Sequence, residues 1–146
     1  MINSSETPRY YLPLWMSISM PLMINLLFII GFLMNFKILF HGFKNNKFSN
    51  SLLLFNLLFL IPLTFAIIFN TNLFNGWRHF YFLYPALIYF SLFGLYQIII
   101  KYKFFYLKTI IYFFLTLNFF YLTIWSYNNH PYQNVFLNSL SKKYHY

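Results

Sequence analysis

Three observations predict an all-α, polytopic membrane protein with about four transmembrane helices. Of the 146 residues 60% are hydrophobic, and the mean hydropathy is +0.59. Charged residues make up 8%, against roughly 25% in soluble domains. The apolar residues gather into four runs, each near the ~20 residues that a helix needs to cross a hydrocarbon core. The chain therefore reads as a single membrane domain over 1–146, with helices at about 15–38, 51–69, 80–100 and 104–125.

The first run is longer than a signal-peptide core and follows a segment that holds Glu6, Arg9 and Tyr10-Tyr11-Leu12-Pro13. It reads as a span rather than a cleavable leader. Pro21 inside it predicts a kink or a late start, as do Pro62 in the second run and Pro85 at the head of the third. Lys37 and Lys108 sit near predicted helix ends, where their stems snorkel toward water. None of the runs shows a clean polar face, which suits lipid on all sides better than a small soluble core. Interior Asn25, Asn56 and Asn118 are either interhelical hydrogen-bonding residues or polar positions facing protein without a dedicated partner.

Loop charge predicts orientation. Lys37, Lys44, Lys47, Lys101, Lys103 and Lys108 fall on one side, and Arg9, Arg78, Lys142 and Lys143 on the other. The Lys-rich side is expected in the cytoplasm, with both termini outside. Trp15, Trp77 and Trp125 all fall on the outer side, as an interfacial aromatic belt would. An outer N-terminus is natural for the C-terminal portion of a longer polytopic architecture, so a separate N-terminal chain is an expected partner.

Composition also excludes functions. Asp is absent and Glu6 is the only side-chain carboxylate, which rules out carboxylate-rich metal sites, two-carboxylate glycosidase centres and Asp-oriented triads built by this chain alone. Cys is absent too, which removes disulfides and thiolate chemistry. The +9 formal charge is scattered between apolar runs rather than gathered into a stripe, so nucleic acid is not an expected partner. Phe, Tyr, Ile, Asn and Lys share AT-rich codons, and a low-GC genome enriches them without selection. Phe counts therefore carry no functional weight. Asn3-Ser4-Ser5 matches the N-glycosylation pattern, a tripeptide that often arises by chance.

Three polar clusters lie on the predicted outer side. They run from Thr7 to Pro13, from Asn75 to Pro85, and from His130 to Asn138. In the second, Asn75-Gly76 is a turn signal that delivers Trp77, Arg78 and His79 to the head of the third helix. A guanidinium fork, an imidazole and free helix N–H groups together suit a phosphate. The competing reading makes Arg78 and His79 interfacial anchors that touch lipid headgroups. His130, before Pro131, is placed to reach the same mouth, with Trp77, Tyr81 and Tyr132 as its aromatic lining. His41 and His145 fall elsewhere, so no metal site is expected, and no cofactor.

Read in order, the clusters resemble the C-terminal region of membrane glycosyltransferases of the dolichyl-phosphate-mannose protein mannosyltransferase family (GT-C type) and its bacterial relatives. Tyr10 to Pro13, the run Gly76-Trp77-Arg78-His79-Phe80-Tyr81-Phe82-Leu83-Tyr84-Pro85, and His130-Pro131-Tyr132 carry the resemblance. The resemblance implies a polyprenyl-phosphate-linked sugar donor held by Arg78, His79 and His130, and a multi-pass protein of the bacterial inner membrane. Members of that family carry their catalytic acidic residue in a first external loop that this chain lacks, and an aromatic where Arg9 stands. No catalytic residue is therefore assigned, and the chain is expected to be inactive alone. The alternative is a small hydrophobic subunit of a multi-subunit membrane complex of the respiratory-chain type, with a structural role.

Overall fold

The computed structural model describes residues 8–44, 50–69, 78–101, 105–132 and 136–143. Glu6, Lys47, the Asn75-Gly76 turn, Trp77, Lys103 and His145 lie outside the described residues. The described elements are α1 (Tyr11–Ile18), α2 (Leu22–Lys44), α3 (Asn50–Ile68), a 3-10 segment (Arg78–Leu83) leading into α4 (Tyr84–Lys101), α5 (Phe105–Asn128) and a closing 3-10 turn (Ser139–Lys143). Four stretches are long and apolar enough to cross a membrane: Leu22–Gly42, Asn50–Ile68, Arg78–Lys101 and Lys108–Asn128. The chain is an all-α integral membrane protein.

The first expected helix, 15–38, is divided in two. Pro21 has no N–H to return to the Ser17 carbonyl, and its ring would crowd that carbonyl in a continuous helix. Helix α1 therefore ends at Ile18 and α2 begins at Leu22, its first turn closed by the Asn25 N–H on the Pro21 carbonyl at 3.1 Å. Helix α2 then runs past residue 38 to Lys44, because nothing between Ile38 and Phe43 breaks it. Lys37 is thus within the helix, seven residues before its end and on an exposed position, rather than at a helix terminus.

The packed body is α2, α3 and α4. Helices α2 and α4 cross at Gly31 and Gly94 so closely that backbone meets backbone. A Cβ on Gly31 would strike the Phe90 carbonyl oxygen, and one on Gly94 would lie 2.5 Å from the Leu27 carbonyl oxygen. Small residues at such crossings let lipid-embedded helices gain the van der Waals contact that lipid itself cannot supply. Beside the crossing, Phe90 is fully buried, with Phe28, Phe32 and Phe59 edge-on to it at 6.0, 5.2 and 5.9 Å between ring centroids. These tilted arrangements bring positive ring edges onto negative faces. Across the body Phe55 stacks on Tyr89 at 3.9 Å.

Polar groups pin the same body. The Asn56 amide donates to Asn35 Oδ1 at 2.6 Å and to the Leu52 carbonyl at 2.7 Å, joining α3 to α2. The Ser91 hydroxyl donates to Leu87 on its own helix at 2.9 Å and toward Ile24 of α2 at 3.3 Å. Helix α5 differs from the rest. None of its apolar window is buried, against 33% for Arg78–Lys101 and 22% for Leu22–Gly42.

Candidate functional site

One end of the body gathers elements far apart in sequence. Leu12 and Met16 of α1, Met20 of the α1–α2 break, Ala66 near the end of α3, and Leu83, Ala86 and Leu87 at the head of α4 share one buried cluster. That cluster seats the 3-10 segment. With 3.0 residues per turn, positions three apart fall on one face, so Phe80 packs against the cluster while Leu83 is fully buried within it. Arg78 and His79 are left exposed, and so are Tyr81 and Phe82.

The sequence predicts a third helix beginning at 80 with Arg78 and His79 at its head. The α-helix starts at Tyr84 instead, one residue before Pro85. Pro85 cannot donate to the Tyr81 carbonyl, so no α-type hydrogen bond closes there and the chain approaches as a 3-10 coil. Pro85 itself sits in the first turn of α4, where a missing N–H costs nothing. The consequence is electrostatic. The six-residue 3-10 segment aligns few peptide dipoles, so attraction for an anion at this head rests on the Arg78 guanidinium and the His79 ring rather than on a helix end.

His130 and Tyr132 occupy the turn that follows α5, both exposed, with the Tyr132 N–H on the Asn129 carbonyl at 2.6 Å. Among the described residues no hydrogen bond joins this turn to Arg78 or His79. Trp125, just before the turn, packs edge-on to Phe136 at 4.9 Å, so the chain doubles back over the end of α5. His41 is exposed near the opposite end of α2, and no group of three metal-ligating side chains gathers among the described residues.

Two of the interior asparagines bridge segments. Asn56 reaches Asn35, and the Asn25 amide donates to the Ser17 carbonyl at 2.6 Å across the α1–α2 break. Asn118 stands half-exposed on α5. Sequence reasoning misses Asn35, which is fully buried although Phe36 and Lys37 beside it are exposed. It also gives no role to Asn138. Buried at 4% exposure, Asn138 donates through its side chain to the Ser17 and Met20 carbonyls at 2.7 and 2.6 Å. An amide within one turn of an apolar segment is the signal both share. Set against known protein families, curated proteins and solved structures, the chain matches none.

Proposed function

We propose that the chain is the donor-binding membrane portion of a glycosyltransferase that uses a polyprenyl-phosphate-linked sugar and acts with a second chain carrying the catalytic base. The observation that carries this reading is the head of α4: Arg78 and His79 stand exposed on a short coil whose other face is locked into the buried cluster. A guanidinium held at a membrane boundary makes paired hydrogen bonds to phosphate oxygens. In the transfer, the acceptor oxygen forms a bond to the anomeric carbon as the bond from that carbon to the phosphate oxygen breaks. Negative charge grows on the departing phosphate, where Arg78 stabilises it and a ring N–H of His79 donates a hydrogen bond. The acceptor's proton leaves to a base outside this chain, since the only side-chain carboxylate is Glu6. Both termini lie on the outer side in this reading, with the Lys-bearing loops in the cytoplasm of a bacterial inner membrane.

A second reading has an observation of its own. Helix α5, with no fully buried residue in its apolar window, favours a structural subunit whose last helix packs against another membrane chain. Binding of a polyprenyl phosphate to the chain reconstituted in nanodiscs separates the two. The transferase reading expects Arg78→Ala to weaken binding by about tenfold or more, the loss of a charge-assisted pair, with no change for the phosphate-free polyprenol. Equal binding of the phosphate by the parent and Arg78→Ala would leave Arg78 as an interfacial anchor and favour the subunit.

A further inference from the structure

We propose that segment 136–143 is a strap that latches the break between α1 and α2, with Asn138 as its positioning residue. Because Pro21 cannot donate, the end of α1 presents carbonyls without helical partners. Asn25 supplies part of what is missing, at 2.6 Å to Ser17 but only 3.4 Å to Met20. Asn138 supplies the rest from the far end of the chain. Its side-chain amide donates to Ser17 at 2.7 Å and Met20 at 2.6 Å, and its backbone N–H donates to the Ile18 carbonyl at 2.8 Å.

The remaining groups of Asn138 hold the strap in shape. Oδ1 accepts the Leu140 N–H at 2.9 Å, and the carbonyl accepts the Ser141 N–H at 3.0 Å and its hydroxyl at 2.8 Å. Every hydrogen-bonding group of the residue is used. Two residues earlier Phe136 packs on Trp125, so the strap ties the end of α5 to the α1–α2 break. Only asparagine fits here. It offers two side-chain protons and one acceptor on a short stem.

Release of the strap leaves the Ile18 carbonyl without its donor and Met20 with a long contact to Asn25. Unpaired carbonyls at a membrane boundary are costly, so α1 then moves about Ser19–Pro21 to find water. Because α1 contributes Leu12 and Met16 to the cluster that seats Leu83, the strap also sets how firmly the head of α4 is held. This inference does not depend on what that head binds.

The chain has no cysteine, so single cysteines report without background. Met20 is 2% exposed and Leu140 is 49% exposed. In the full chain in nanodiscs, maleimide labelling of Met20→Cys is slow. Asn138→Asp keeps the acceptor for Leu140 but replaces both donated protons with a charged oxygen. It raises the Met20→Cys labelling rate about tenfold or more, by local opening, while Leu140→Cys labels fast in both backgrounds and helix content by circular dichroism is unchanged. An unchanged Met20→Cys rate in the Asn138→Asp chain overturns the proposal. So does a collapse of helix content, which would make Asn138 a global stabiliser rather than a local latch.

Discussion

Helices α2 and α5 are nearly equal in length, 23 and 24 residues, and both are apolar on all sides, yet they differ in what holds them. Helix α2 meets α4 backbone to backbone at Gly31 and Gly94, with a ring cluster beside the crossing and an asparagine bridge to α3. Helix α5 has no fully buried residue along its apolar window, only a half-buried stripe through Ile111, Leu115, Asn118 and Leu122, and is anchored through the strap that follows it. Hydrophobicity put both helices in the membrane. It did not pack either of them, because lipid is as apolar as a leucine face. What separates them is the presence of residues that make a helix prefer protein to lipid: a glycine that admits another backbone, and an amide that needs a partner.

The largest expected effect breaks the packed side of that contrast. Gly31→Leu places a branched side chain where even a Cβ meets the Phe90 carbonyl. The helices must separate, and the cost is about 3 kcal/mol or more. Reversible unfolding in mixed micelles measures it, and Gly94→Ala follows in the same direction. A neutral Gly31→Leu would mean that the crossing is not what holds α2 to α4.

The Asn35–Asn56 bridge gives the next effect and sharpens the role of the amides. One bond joins the two side chains, while Asn35 Nδ2, which faces Tyr89, and Asn56 Oδ1 make no hydrogen bond of good geometry among the described residues, and both asparagines are buried. Asn56→Leu alone removes that bond and orphans Asn35 Oδ1 as well, at about 1–2 kcal/mol. The double variant Asn35→Leu/Asn56→Leu removes donors and acceptors together and recovers most of that loss. Unfolding of Asn35→Leu, Asn56→Leu and the double variant side by side decides the point. Losses that simply add would show that the two residues contribute separately.

The sequence carried the spans well and the contacts between them unevenly. Runs such as Leu52 to Phe59 identify a membrane helix because length and apolarity suffice for that judgement. Asn25 and Asn56 were legible as bridging candidates because an amide amid such runs is costly to leave without a partner. Pro21 marked its break in advance. Gly31 and Gly94 were not legible as a pair, since no spacing relates residues 63 positions apart that only the fold brings together. Asn138 was hidden for a similar reason. Its partners are the carbonyls of Ser17, Ile18 and Met20, and backbone carbonyls leave no trace in a sequence. For the candidate site, Arg78, His79 and Tyr81 share one coil as their adjacency dictates, whereas joining them to His130 requires a contact that adjacency cannot supply.

The smallest expected effect tests the other side of the contrast. Phe113 and Phe119 on α5 are 59% and 66% exposed. In the isolated chain each touches mainly lipid whether the helices are assembled or apart, so Phe→Ala at either position removes nearly the same contacts from both states. The expected change in stability is below about 0.5 kcal/mol, against the several-fold larger loss at Gly31. Asn118, half-exposed on the same helix, behaves differently once a second membrane chain is present. Its amide prefers a polar partner to lipid, so Asn118→Leu weakens that association while leaving the isolated chain unchanged. Co-purification with and without the substitution, at matched stability of the isolated chain, reads the effect. A destabilised isolated chain would place α5 inside the packed body and erase the contrast with α2.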